Sequence, residues 1–189
     1  DQVVAISEAV KLELVNIGEV SEDRCKVLPN PTQMLSERQA QKPSECFRIG
    51  FVGRLEEVKN VVELVRALSI LKNQGLDFQL IIIGDGSQRL LLDKKIYEAG
   101  LSCSVKVLGY RSRPFEHLTD IDLYVQPSIS EGFGIAVVEA MSMGIPTLAT
   151  PVGGVPEIIS DGDNGWLLPG TSAEEIASSI KRISLLDKK

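Results

Sequence analysis

The sequence predicts an α/β domain with a parallel sheet covered by helices on both faces. Three observations carry that expectation. From Phe47 onward, short apolar runs alternate with segments of helical spacing. The connections between them are short and marked by Gly, Pro and Asn. Strand–helix–strand units of this size give right-handed crossovers and a sheet buried on both sides. The bulk numbers agree. With 189 residues, 43% apolar and 24% charged, the chain can bury a full core. A net charge of −6 argues against broad attraction to nucleic acid or membranes. No apolar run approaches the ~18 residues of a membrane span. Cys25, Cys46 and Cys103 form no Cys-x-x-Cys pair, which suggests reduced thiols in a cytoplasmic setting and no zinc site. The first residue is Asp1, not Met, and the chain reads as an excised piece.

Val3-Val4-Ala5-Ile6 reads as a short strand, and Ser7 as the cap of a helix to about Gly18. Lys26-Val27-Leu28 is a second strand, stopped at Pro29-Asn30-Pro31. Thr32 to Glu45 is polar and reads as a linker, with a domain boundary near Pro43. The expected division is therefore 1–43, the end of one domain and a linker, and 44–189, a second domain. In that second domain, strands are expected at Phe47–Val52, Leu80–Ile83, Val105–Leu108, Leu123–Val125, Thr147–Thr150 and Asn164–Leu168. Helices are expected at Asn60–Asn73, Ser87–Ala99, Pro114–Thr119, after Gly134, at Val155–Ser160 and at Ala173–Leu186. The architecture is Rossmann-like, and its ligand is expected at the carboxyl ends of the strands.

The chemistry-bearing residues gather at those ends. Gly53 permits a sharp turn, and Arg54 and Lys59 flank the start of a helix, where a guanidinium fork and an ammonium suit a diphosphate. The alternative is two surface cations paired with Glu56 and Glu57. Gly84-Asp85-Gly86 opens like a dinucleotide fingerprint, but Arg89 takes the place of the third glycine. A plain tight turn is the simpler account, with Gly86 still able to admit a ligand close to the backbone. Asp120 and Asp122 read as a helix-end cap and a strand-start acid, and no metal is expected. His117, the single histidine, has no partners for a triad. Trp166 reads as core.

The densest stretch is Ser130 to Met141. A glycine-rich turn becomes a helix there, with Glu131 and Glu139 at its two ends. Free N–H groups at a helix start favour an anion. Two carboxylates beside it must grip something uncharged, such as sugar or ribose hydroxyls. The helix is apolar nearly all round, so it is expected to be largely buried, and Glu139 on it to need a partner.

Taken together, these residues resemble the glycosyltransferase family 4 (group 1), in its C-terminal, donor-binding half, from about Phe47 to the end. The motifs are Gly53-Arg54-Leu55 with Lys59-Asn60, Ile83-Gly84-Asp85-Gly86, Leu108-Gly109, Pro127-Ser128 and Glu131 to Glu139. Gly144-Ile145-Pro146, Gly153-Gly154-Val155-Pro156-Glu157 and Asn164-Gly165 follow in order. Residues 1–31 resemble the last strand and helix of the preceding domain, with Pro29-Asn30-Pro31 where Pro-Asn-Gly is usual.

The resemblance implies a GT-B fold and a retaining sugar transfer from a nucleotide diphosphate to an acceptor hydroxyl, without metal or other cofactor. It implies that Arg54 and Lys59 hold the diphosphate and that Glu131 accepts from the donor sugar. It places the N–H groups of Gly132, Phe133, Gly134 and Ile135 against sugar and phosphate, Glu139 on the ribose, and Gly53, Gly84, Gly86, Tyr110 and Arg111 along the nucleotide. The acceptor, a glycan or lipid-linked sugar, would belong to a domain outside this chain, as would any contact with the inner face of the membrane. This piece alone would be inactive. A nucleotide-sugar epimerase or a binding module without turnover are the alternatives. An NAD-dependent dehydrogenase fits less well, for want of the full fingerprint.

Overall fold

A computed structural model describes residues 2–29 and 46–186. The linker expected at Thr32–Glu45 and the boundary near Pro43 lie outside the described residues. In chain order the elements are β1 (Val3–Ala5), α1 (Glu8–Asn16), β2 (Cys25–Val27), β3 (Phe47–Val52), α2 (Val61–Asn73), β4 (Phe78–Ile83), α3 (Arg89–Glu98) and β5 (Val105–Val107). Then come β6 (Leu123–Gln126), α4 (Ile135–Ser142), β7 (Thr147–Ala149), α5 (Val155–Ile158), β8 (Trp166–Leu167) and α6 (Ala173–Ser184). Short 3₁₀ turns occupy Glu22–Arg24, Glu57–Lys59 and Pro114–His117.

The main sheet runs β5-β4-β3-β6-β7-β8, parallel throughout. Counting from β3 as the first strand, this is the order 3-2-1-4-5-6 of a Rossmann-like sheet, with the reversal between β3 and β6. Alternate residues of each strand feed two separate cores. Ile49, Phe51, Leu80, Ile82, Leu123 and Val125 pack with α2, α3 and α6. Ile83, Tyr124 and Ala149 pack with α4, α5 and the Pro114–His117 turn. The strongly amphipathic helices are α2 and α6, and each buries one stripe, as the spacing of Leu64, Leu68 and Leu71 predicts. Ser172 and Glu175 form a reciprocal cap at the start of α6.

Most boundaries fall within two residues of the sequence expectation, and the differences concern edges. The second strand is shifted by one, to Cys25–Val27, and leaves Leu28 exposed. The last strand shrinks to Trp166–Leu167, and Trp166 is only partly buried because β8 is the outermost strand. Residues 3–27 make a small parallel pair, β1-β2, separate from the main sheet.

This N-terminal piece is clasped to the main domain at three points. The Ser7 hydroxyl accepts from Val10 N–H, capping α1 as expected, and donates to the carbonyl of Gly132 at 2.9 Å. The Glu157 carboxylate accepts from the Glu8 and Ala9 amides, placing a negative charge at the positive end of α1. Ile6 lies so close that a side chain on Gly132 would meet its Cδ1 at 2.9 Å.

Candidate functional site

The switch point is where β3 and β6 diverge toward opposite sides, and the loops leaving their carboxyl ends meet there. After β3 the chain turns at Gly53, and the loop is laced to the one after β4. Gly53 N–H donates to the Ile83 carbonyl, Leu55 N–H to that of Asp85, and Gln88 N–H back to that of Leu55. Glu56 adds both carboxylate oxygens to Ser87, on its amide and its hydroxyl. The two loops approach so closely that glycine is required at the contact. A Cβ on Gly84, whose φ is +143°, would lie 1.8 Å from the Gly53 carbonyl oxygen, and one on Gly86 would lie 2.6 Å from that of Leu55. The sequence left room for Gly86 to admit a ligand. On the side where a Gly86 side chain would point, the space is taken by Leu55 and Glu56 of the chain itself.

On the other side, Ile129 N–H donates to the Val58 carbonyl at 2.8 Å, joining the loop after β6 to the Glu57–Lys59 turn. That tie brings Lys59 to Glu131, with Nζ 2.6 Å from Oε1 and both side chains largely buried. The alternative pairing with Glu56 and Glu57 therefore does not hold for Lys59. Asn60, the single non-glycine residue with positive φ among the described residues, sets the turn and donates from its side chain to the Thr171 carbonyl. Arg54 is exposed and makes no hydrogen bond or ion pair among the described residues, though its charge helps lower the carboxyl of Glu56. Hydrogen bonds from Ser87 are the larger cause of that lowering.

Behind Glu131 lies a polar chain that sequence reasoning passed over. The Tyr124 hydroxyl reaches Gln126 Oε1 and, at 3.2 Å, the Val52 carbonyl. Gln126 Nε2 donates to Ser128 Oγ at 2.8 Å and to Glu131 Oε1 at 3.1 Å. Ser128 Oγ donates to the same Oε1 at 2.8 Å, and Thr150 ties down the Ser128 carbonyl. Tyr124, Gln126, Ser128 and Thr150 are all buried. Burial first, and the Glu131 charge second, push the Tyr124 hydroxyl well above its ordinary range, so it stays a neutral donor. The signal available in the sequence was Gln126 itself, a polar residue ending the apolar run Leu123-Tyr124-Val125, which must find partners when buried.

Past Glu131 the glycine turn leads into α4. Gly134 caps it at φ 95°. No acceptor is found among the described residues for the N–H groups of Gly132, Phe133, Gly134 and Ile135. Four donors at one helix start are thus left for a ligand or water. The turn is held from behind by Gly153 and Gly154. Gly154 N–H donates to the Gly132 carbonyl, and a Cβ on Gly153 would strike the Glu131 carbonyl at 1.7 Å.

One expectation about α4 needs correction. It is not largely buried: Val137 and Ala140 are, but Ile135 is 44% exposed. Ala136, Val138, Glu139, Met141 and Ser142 are partly buried, so the side away from the sheet is only thinly covered. Glu139 has no side-chain partner among the described residues. Its half-buried carboxyl is pushed above the ordinary carboxylate range by desolvation. A carboxylate partly withdrawn from water is costly until hydrogen-bond donors reach it, and a ligand that carries hydroxyls would supply them.

The remaining predicted residues fall at the same sheet edge. Gly84 N–H donates to the Gly109 carbonyl, so the loop after β5 continues the row, and Tyr110 and Arg111 stand exposed on it. Asp122 is the strand-start acid expected, at the opposite end of the sheet and paired with Arg48. His117 is exposed. No cluster of three or more His, Cys, Asp or Glu side chains that could hold a metal ion occurs among the described residues. No helix among them is long and apolar enough to cross a membrane.

A Rossmann-like domain with orphan amides, cations and carboxylates at its switch point belongs to the class of α/β domains whose ligands enter at the carboxyl ends of the strands. Within that class, residues 34–189 match the family described as glycosyl transferases group 1, and the chain belongs to it. It is 33% identical over 146 residues to the amylovoran biosynthesis glycosyltransferase AmsK of Erwinia amylovora, covering 73% of this chain and 36% of that one. The alpha-D-kanosaminyltransferase of Streptomyces kanamyceticus is 35% identical over 135 residues, covering 70% and 35%. Among solved structures, Anabaena HepE in complex with UDP-glucose superimposes with a TM-score of 0.86 at 28% identity, covering 99% of this chain and 55% of that one. The chain thus spans about a third to about half the length of these relatives.

Proposed function

We propose that this chain forms the donor-binding wall of a retaining glycosyltransferase that moves a hexosyl group from a UDP sugar to a hydroxyl of a glycan or lipid-linked glycan. The observation that carries the reading is the meeting of Lys59 and Glu131 at the switch point, beside the unpaired amides of the α4 turn. In this reading the helix start and Arg54 take the diphosphate, Glu131 takes hydroxyls of the sugar, and Glu139 takes those of the ribose. Gly53, Gly84 and Gly86 shape the loops along the nucleotide, and Tyr110 and Arg111 flank the base. Similarity to a structure described with UDP-glucose supports the choice of UDP.

Cleaving the C1–O bond leaves negative charge on the diphosphate and positive character on the sugar. The orphan amides and Lys59 stabilise the former without moving, because the fold already holds them, and the exposed Arg54 swings in to add its charge. Lys59 begins paired to Glu131, so its charge is shared between the carboxylate and the phosphate. The leaving phosphate takes the acceptor's proton on the same face, and no metal is required. Residues 1–43 then belong to a preceding domain and its linker, and residues 44–189 to the donor domain. The Ser7 and Glu157 contacts join the two, and the chain alone transfers nothing.

The test is calorimetric titration with UDP, UDP-glucose and other nucleotide sugars in the presence of EDTA. Saturable binding of at least one, unaffected by the chelator, is expected. No binding by any of them would overturn the reading.

A further inference from the structure

The oxygen Oε1 of Glu131 accepts three hydrogen bonds, from Lys59 Nζ, Gln126 Nε2 and Ser128 Oγ. Oε2 accepts none among the described residues. This asymmetry is forced by the inventory of donors behind it. Gln126 cannot be turned over: its carbonyl oxygen is the acceptor for the Tyr124 hydroxyl, and reversing the amide would aim that oxygen at a carboxylate. Ser128 has one proton, and because it already accepts from Gln126 it gives that proton to Glu131. A hydroxyl, an amide and an ammonium therefore converge on one atom, each with its own position fixed from a buried strand or a tied loop.

We propose that Gln126 and Ser128 are positioning residues for donor-sugar recognition: together with Lys59 they saturate Oε1 and leave Oε2 as the acceptor presented to the sugar's hydroxyls in one orientation. The inference rests on the donor reading above. Neither residue touches the donor, and both act through Glu131. A network that served stability alone would give no difference between ligands with and without the sugar. A positioning network does, because aim is lost before charge is.

The experiment compares wild type with Gln126→Met and Ser128→Ala, titrated in parallel with UDP and UDP-glucose. Gln126→Met keeps the volume, and the Tyr124 hydroxyl retains the Val52 carbonyl at 3.2 Å as an acceptor, so folding is expected to survive. Wild type should bind UDP-glucose more tightly than UDP. Each variant should lose about three- to tenfold in UDP-glucose affinity, the size of one ordinary hydrogen bond because the effect is indirect, while keeping UDP affinity within about twofold. The double variant should lose less than the product of the two, because both serve one oxygen. Equal losses for the two ligands, or no loss for either, would overturn the positioning role while leaving the donor reading intact. A wild type that binds neither ligand removes the donor reading, and the proposal with it.

Discussion

Two ion pairs join β3 to β6, one at each end of the sheet, and they are built differently. At the amino end Arg48 and Asp122 use every available contact. The guanidinium grips both carboxylate oxygens, at 3.2 and 2.9 Å, the Arg48 amide donates to the same carboxylate, and the Asp122 amide donates to the Arg48 carbonyl. Hydrogen bonding to Asp122 holds the Arg48 guanidinium above its ordinary value. At the carboxyl end Lys59 and Glu131 are more buried, yet half of the Glu131 carboxylate is unused, and unpaired amides and Glu139 lie nearby. The same chemistry thus makes a closed clamp at one end and an unfinished one at the other. What marks a site is the surplus of acceptors and donors around the charges, since an ion pair alone fits either end.

The contrast extends to glycines and can be broken there first. Gly84→Ala, at the carboxyl end, drives a methyl into the Gly53 carbonyl and should cost about 3 kcal/mol or more. Gly75→Ala, in the amino-end loop before β4, meets nothing within 4 Å and should cost only the left-handed backbone penalty of about 1 kcal/mol. Urea unfolding measures both, and equal costs would deny that the ligand-side loops are the interlocked ones.

Next in size is the clamp. Asp122→Ala strands Arg48 and should cost about 2 kcal/mol, discounted because both side chains are about a fifth exposed. UDP affinity of the folded protein should not move. Glu139→Ala should do the reverse, costing about 1–2 kcal/mol of UDP binding if it holds the ribose with stability unchanged or improved. Were Asp122→Ala to weaken UDP binding as much as Glu139→Ala does, the division between the two ends would collapse.

The smallest effect is a pH dependence. The Glu139 carboxyl is raised in the folded chain by desolvation. Its contribution to stability is thus fully present below the unfolded pKa and lost as pH rises through the folded one. Hydroxyl donors favour the ionised form, so UDP affinity should rise across that same interval and then level. Glu139→Gln should flatten both curves, and an unaltered pH profile in that variant would point to another group.

Much of this was legible in the residues. Apolar runs such as Leu80–Ile83 and the helical spacing of Leu64, Leu68 and Leu71 announce strands and a half-buried helix without reference to their neighbours. The glycine turn before α4 and the flanking glutamates were equally open to reading. What stayed hidden depends on contacts across long separations. Lys59 meets Glu131 only because Ile129 is bonded to Val58, and no local pattern encodes that. Gly84 has no room for a side chain because of the Gly53 carbonyl, a contact between two separate loops. The exposure of α4 was misjudged because composition gives a helix's apolar content but not what lies over each face. Gln126 was readable in principle, since a buried polar strand residue always raises the question of its partners.

The most direct measurement is backbone amide NMR during titration with UDP and then UDP-glucose. Large shifts are expected at Arg54, at Gly132 to Ile135 and at Glu139, with UDP-glucose adding changes around Gln126, Ser128 and Glu131. Arg48 and Asp122, at the far end of the same two strands, should stay in place. Shifts centred on Arg48 and Asp122, or none near Gly134 with either ligand, would contradict the assignment of the open end as the site.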